Sequence, residues 1–155
     1  VLNPNDAVGI LKPEGEQYKL FENDILIART GNTVGKSYLY QNIDGECSYA
    51  GYLIRFKIEE EKILPFYVFQ ILQSRIFWSW VKRMMRTGAQ PNINSQEYQS
   101  FKLPFPPIPE QQKIAEILSE ADAKIEKEEQ EKAQLEQLKK GLMQQLLTGK
   151  KRVIV

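Results

Sequence analysis

The sequence contains no histidine and only one cysteine, Cys47. A single cysteine excludes a disulfide within the chain, and the lack of histidine removes a common zinc ligand and the base of a Ser-His-Asp triad. No run approaches the ~20 apolar residues that span a bilayer, and residues 1–6 lack the basic and apolar regions of a signal peptide. These absences predict a cytoplasmic protein without a membrane segment, a structural zinc site or a histidine-dependent catalytic triad.

Composition changes at residues 102–110, where four prolines occur within six residues. Each proline removes an amide donor and holds the preceding residue extended, so no helix crosses this segment. The 42% hydrophobic content of the whole chain is sufficient for a core, while the formal net charge of +1 says little about partners. We predict a globular domain at residues 1–108, a long helix at 109–148 and a basic tail at 149–155.

The predicted fold class is α+β, with a small mixed β/α domain before one long C-terminal helix. Residues 24–29, 36–40 and 52–58 have the apolar and β-branched character of strands, and glycine turns lie at 31–35 and 44–45. Residues 3–16 are predicted to form a loop. Residues 65–85 are predicted to form one amphipathic helix, whose apolar face carries Phe66, Phe69, Ile76, Phe77, Trp80 and Met84.

The C-terminal helix would be ~57 Å long at 1.5 Å per residue, which is too long for this chain to bury. Its apolar spacing indicates a coiled-coil seam with a polar middle. The seam comprises Ile114, Leu118, Ala121, Ile125, Glu128, Lys132, Leu135, Leu138 and Leu142. Antiparallel pairing of two copies about Gln130 would place Glu128 opposite Lys132, which favours an antiparallel homodimer. A solvated helix packed on its own domain is the alternative. Gly149 is predicted to end the helix.

Basic residues are concentrated between Glu61 and Glu97, where no acidic residue occurs. The cations in this interval are Lys62, Arg75, Lys82, Arg83 and Arg86. On a helix Arg75, Lys82 and Arg86 fall within ~40° of one another, opposite the apolar face. This distribution suits a phosphate backbone, although an ordinary solvated helix face is the alternative.

Two polar loops flank these elements. The first, Gly31-Asn-Thr-Val-Gly-Lys-Ser37, resembles a P-loop but has three residues between its glycines where that motif needs four, and a strand follows it. A nucleotide-binding enzyme is therefore a minor alternative to a turn that presents Arg29, Thr30, Asn32 and Lys36. The second loop, residues 87–94, carries Gln90, Asn92 and Asn94. Amide side chains match the N6 and N7 edge of adenine, but they also cap turns and helices.

Taken in order, residues 24–31 with 34–36, 88–94, 103–118 and 142–150 resemble the specificity subunits of type I restriction-modification systems. The proline linker followed by Glu110-Gln111 and a long helix is the most specific part of this resemblance. It implies a target-recognition domain that reads one half of a bipartite sequence in double-stranded DNA. It also implies a helix that pairs antiparallel with a second such helix and docks methyltransferase subunits.

The resemblance further implies that the chain is not a catalyst. S-adenosylmethionine, ATP and Mg would be used only by the methyltransferase and restriction/translocase subunits. Family members usually carry two recognition domains, each extending upstream of the strand at Asp24. The chain is therefore expected either to dimerise or to be part of a longer subunit whose N-terminal part is missing here. A coiled-coil adaptor that does not bind DNA is the remaining alternative.

Overall fold

The computed structural model describes residues 15–42, 46–85 and 91–153, and it confirms the predicted α+β class. The chain divides into two compact units, Val1–Ala115 and Glu116–Val155. The composition placed this boundary at the proline linker, whereas the division falls within the long helix. The first turns of that helix therefore belong to the globular unit.

A three-stranded antiparallel sheet forms the centre of the globular unit, with the strand order β2-β1-β3. The strands are β1 (Ile25–Ala28), β2 (Ser37–Leu39) and β3 (Leu53–Phe56), which confirms the three predicted strands with shorter bounds. All four residues of β1 are buried because it is the central strand. In the register, Ile27 pairs with Ser37 on one side and with Ile54 on the other, and Ala28 pairs with Leu53.

The two faces of the sheet bury different clusters, as the alternation of side chains along a strand requires. Ile25 and Ile27 contribute to the main core, which also contains residues of the helices. Leu26 contributes to a second cluster with Leu20 and Tyr40. The helices are α1 (Pro65–Gln73), α2 (Arg75–Met84), α3 (Ser95–Gln99) and α4 (Ile108–Leu147), and short 3₁₀ turns lie at Glu16–Tyr18 and Gly31–Thr33.

The prediction of one helix over residues 65–85 is wrong, because the helix is interrupted at Ser74. Ser74 has an extended backbone, and its hydroxyl oxygen accepts a hydrogen bond from the Phe77 amide at 3.4 Å. The residue thus ends α1 and caps the start of α2. The break changes the helical phase, so the predicted apolar face does not continue: Phe77 is fully buried whereas Ile76 is 62% exposed.

Aromatic side chains join α2 to α3 and to the segment that follows it. The Phe101 ring lies 5.2 Å from the rings of both Phe77 and Trp80, measured between centroids. Tyr98 lies 5.8 Å from Trp80 and 6.4 Å from Phe77. These separations are typical of favourable aromatic pairs. The cluster fixes α2 against the chain that leads into the proline linker.

Gln111 is fully buried and anchors the start of α4 in the globular unit. Its Oε1 accepts from the amide of Leu64, the N-cap residue of α1, at 2.9 Å. Its Nε2 donates to the carbonyls of Pro106 at 2.8 Å and Lys62 at 3.4 Å. One side chain therefore satisfies backbone groups in the segment before α1 and in the proline linker. The sequence analysis named Gln111 within the family resemblance but assigned it no structural role.

The C-terminal unit consists of the remainder of α4 and a short tail. Gly149 follows the helix with a φ of 73°, its amide donates to Leu146, and the Lys151 amide donates to Gln145. This is the left-handed helix end predicted at Gly149. Within the described residues, no helix combines the length and the apolar character needed to cross a membrane.

Candidate nucleic-acid interface

The first polar loop is a compact turn between two antiparallel strands. Gly31 and Gly35 adopt φ values of 74° and 87°, a region that favours glycine. The Gly35 amide donates to the Ala28 carbonyl at 3.0 Å, and the Ala28 amide donates to Lys36 at 2.9 Å. Strand β2 follows directly, so the loop lacks the helix N-terminus that a P-loop places beneath the phosphates. The nucleotide-binding alternative loses its structural basis.

Backbone hydrogen bonds join the first polar loop to the second, although the two are far apart in sequence. Thr30 and Asn92 form an antiparallel β-bridge. The Ile93 amide donates to the Arg29 carbonyl and the Gly31 amide donates to the Pro91 carbonyl, each at 3.0 Å. We call residues 29–36 and 91–94 the paired loops. They form one surface at the end of β1, and the exposed side chains of Asn32 and Asn92 belong to it.

Helix α2 packs directly against the paired loops at Gly35. A Cβ atom at Gly35 would lie 3.0 Å from Cγ1 of Val81 and 3.2 Å from Cζ3 of Trp78, so only a glycine fits without displacement. Val81 is fully buried, and the exposed cations Lys82 and Arg83 follow it in sequence. The structure therefore places the basic helix beside the polar loops.

The cations of α2 remain available to a ligand. Ion pairs between described residues include Lys19–Glu46, Arg55–Asp24 and Lys62–Glu59. Lys62, which the sequence analysis counted in the basic excess, is therefore partly neutralised by Glu59. Within the part of the chain that the structure describes, none of the following takes part in an ion pair, and all are exposed: Lys36, Arg75, Lys82 and Arg83.

Two of the predicted DNA-contacting residues, Asn94 and Arg29, differ in their hydrogen bonding within the protein. The Asn94 oxygen accepts from the Glu97 amide at 2.9 Å, and a Glu97 carboxylate oxygen accepts from the Asn94 amide at 2.8 Å. This capping box starts α3. The Asn94 oxygen therefore caps a helix, which was the alternative to base recognition. Arg29 is half-buried, and among the described residues its Nε has no hydrogen-bond partner. Arg86 and Gln90 lie outside the described residues.

Tyr98 supports the paired loops and was missed by the sequence analysis. Its hydroxyl donates to the Ala28 carbonyl at 2.9 Å, the same oxygen that accepts from Gly35. Burial raises the pKa of Tyr98 to about 12. The neutral phenol is therefore the form that holds the end of β1. A tyrosine in a five-residue helix has no local signal that reveals this long-range contact.

The described residues contain no group of three or more Cys, Asp or Glu side chains placed to hold a metal ion. The polar atoms at the paired loops are amides, hydroxyls and cationic nitrogens. This set suits hydrogen bonding to base edges and attraction to phosphates.

Helix α4 carries the predicted seam, and most of its members are exposed. Ile114 differs, because it is half-buried in the globular unit. The large apolar side chains exposed along α4 are Ile117, Leu118, Ile125, Leu135, Leu138, Leu142, Met143, Leu146 and Leu147. Ala121, Glu128 and Lys132 are exposed as well. Pairing of this seam with another helix stays a prediction.

Comparison with known proteins identifies the family. Residues 3–137 match the type I restriction modification DNA specificity domain. The chain is 30% identical over 138 residues to the putative type I restriction enzyme MjaX specificity subunit of Methanocaldococcus jannaschii, covering 85% of this chain and 32% of that protein. It is 33% identical over 140 residues to the type I restriction enzyme MjaVIII specificity subunit of the same organism, covering 88% of this chain and 33% of that protein. The chain thus spans about a third of these relatives, and it belongs to the type I restriction modification DNA specificity domain family.

Proposed function

We propose that this chain binds double-stranded DNA and reads one half of a bipartite target for a type I restriction-modification complex. The observation that carries the proposal is the backbone pairing of the two polar loops beside α2. The pairing brings the exposed amide side chains of the loops next to a helix that carries exposed cations, which supports a shared DNA-binding role. Neither loop alone would distinguish a DNA-binding surface from an ordinary turn.

The two kinds of side chain take different parts in this proposal. The exposed cations Arg75, Lys82 and Arg83 contact phosphates, which contributes affinity without sequence information. Asn32 and Asn92 face the base edges, where an amide can pair with the N6 and N7 atoms of adenine. Arg29 and Thr30 lie at the bridge between the loops and complete the polar set. Asn94 is left out because its oxygen caps α3.

We further propose that α4 pairs antiparallel with a second helix, from another copy of this chain or from a longer subunit. The exposed apolar side chains along the helix support this, because water contact with such a row is unfavourable. The same helix would dock methyltransferase subunits. In this arrangement S-adenosylmethionine, ATP and Mg serve the methyltransferase and restriction/translocase subunits, and the chain itself contributes recognition without catalysis.

A titration of labelled duplex DNA over a salt series tests the DNA-binding proposal. The logarithm of the affinity should fall linearly with the logarithm of the salt concentration. Replacing one phosphate contact, as in Arg75→Ala or Lys82→Ala, should reduce that slope by about 0.9. Lys62→Ala is the matched control, because Lys62 pairs with Glu59, and it should leave the slope unchanged. A chain without salt-dependent affinity for DNA would instead be a protein-binding adaptor.

Sedimentation velocity over a concentration series tests the helix pairing. Leu138→Asp should shift the chain toward the monomer, because a carboxylate would enter the apolar seam. Glu136→Ala lies nearby on the same helix outside the predicted seam and should change the sedimentation little. A monomer at every concentration of the unmodified chain would refute self-pairing.

A further inference from the structure

Tyr52 is the most exposed aromatic side chain in the described part of the chain, at 71%. It occupies the turn before β3, and it is not among the candidate residues that the sequence indicated. Single exposed apolar residues are common and need no explanation by themselves. Tyr52 is a candidate for binding because its backbone hydrogen bond places it next to the paired loops.

Backbone hydrogen bonds place Tyr52 beside the paired loops. The pairing of Ala28 with Leu53 continues one residue further, because the Arg29 amide donates to the Tyr52 carbonyl at 3.0 Å. The Arg29 carbonyl in turn accepts from Ile93 at 3.0 Å. The backbone of Arg29 therefore lies between Tyr52 and the second polar loop. The three segments form one continuous edge at the end of β1.

The turn that carries Tyr52 is held on both sides. Its carbonyl is bonded to Arg29, and the Leu53 amide donates to Ala50 at 2.9 Å. A tyrosine has only two side-chain torsions, so presenting its ring from a fixed backbone costs little conformational entropy on binding. Phe56, at the end of the strand that follows, packs instead against the Tyr98 ring in the core, at 6.4 Å between centroids. Of these two aromatic side chains, Tyr52 is the one exposed to solvent.

From this placement we infer that Tyr52 is a specificity-determining contact to DNA. Its ring packs against the 5-methyl group of a thymine in the major groove, next to the bases addressed by the paired loops. The thymine methyl is the apolar group that base edges present in that groove, and an apolar side chain recognises it. The inference rests on the proposed DNA-binding function and adds to it a residue and a base.

The test uses the 155-residue chain and a labelled duplex selected with it from a randomised library. Each thymine of the selected duplex is replaced in turn by deoxyuridine, which lacks only the methyl group. At one position the unmodified chain should bind the deoxyuridine duplex about fourfold more weakly, the effect of one buried apolar carbon. Tyr52→Ala should abolish the difference between the two duplexes, whereas Tyr52→Phe should retain it.

Phe21→Ala is the matched control, because Phe21 is also exposed but precedes β1 at its opposite end. It should keep the fourfold thymine effect, and tryptophan fluorescence should show that each variant is folded. A Tyr52→Ala variant that still discriminates thymine from deoxyuridine would overturn this inference while leaving the proposed function intact. So would a selected duplex with no thymine position that responds. Loss of all salt-dependent binding in the unmodified chain would overturn both.

Discussion

Gly35→Ala should separate α2 from the paired loops at the point where they meet. Gly35 combines a φ of 87° with close neighbours, since an added Cβ would lie 3.0 and 3.1 Å from the two methyl carbons of Val81. Val81 is fully buried, so its side chain has no solvent to move into. Either the loop or the helix has to shift.

Two costs contribute to the expected destabilisation. A left-handed backbone costs a residue with a Cβ roughly 1–2 kcal/mol, and overpacking a well-filled core costs roughly 1–3 kcal/mol more. Gly31→Ala is the matched control, because Gly31 has a similar φ of 74° but no atom within 4 Å of the added Cβ. The control should show only the backbone cost. The difference between the variants, about 1–3 kcal/mol, then measures the packing of α2 on the loop.

Urea unfolding followed by tryptophan fluorescence is the suitable assay. The sequence contains two tryptophans, Trp78 and Trp80, and both lie in α2. The signal therefore reports on the globular unit and not on the distal part of α4. Equal free energies of unfolding for Gly35→Ala and Gly31→Ala would refute the packing argument, because they would leave only the backbone term.

Two further predictions concern buried hydrogen bonds. Tyr98→Phe should remove a pH-dependent part of the free energy of unfolding. The folded-state pKa of Tyr98, about 12, lies above the ordinary value of 10.0. The stability contributed by the neutral phenol is therefore complete below pH 10 and is lost as the pH rises toward 12. The free-energy difference between the unmodified chain and Tyr98→Phe should change by about 2–3 kcal/mol over that range in urea titrations, and a constant difference would contradict the assignment. Gln111→Leu should lower the free energy of unfolding by about 2–4 kcal/mol, because it leaves the Leu64 amide and the Pro106 carbonyl without their partner. Gln112→Leu, at the exposed neighbouring residue, is the control. A similar loss of free energy of unfolding in both variants would contradict a stabilising role of the buried Gln111 hydrogen bonds.

The local patterns of the sequence predicted the elements of the fold but not all of their breaks. The apolar, β-branched run around β1 located that strand within one residue at each end. The break between α1 and α2 was missed because the hydrophobic period runs through Ser74 without interruption. Ser74 is an ordinary N-cap residue, but a serine also occurs within helices, so its residue type alone does not reveal the break.

The candidate site was predictable in its residue types and unpredictable in its assembly. Glycine loops and a local basic excess are visible in the sequence, whereas the bridge between Thr30 and Asn92 involves backbone atoms and leaves no side-chain signature. Lys62 and Asn94 show that residue type can also suggest a ligand contact where the side chain has a partner within the protein. Their side chains look like ligand-binding groups in the sequence, and in the structure they engage Glu59 and the Glu97 amide.

The way the paired loops are held separates the residues that support them from the residues that they display. The loops are joined to each other through backbone atoms, and they rest on the Gly35 contact with α2 and on the Tyr98 hydroxyl. None of these supports uses the side chain of Asn32, Asn92 or Tyr52. Because a backbone ladder tolerates a change of side chain, substitutions at these three exposed positions should alter base preference while the free energy of unfolding changes by no more than about 0.5 kcal/mol. If such substitutions instead unfolded the globular unit, these side chains would be structural, and the surface formed by the paired loops would not be a site of recognition.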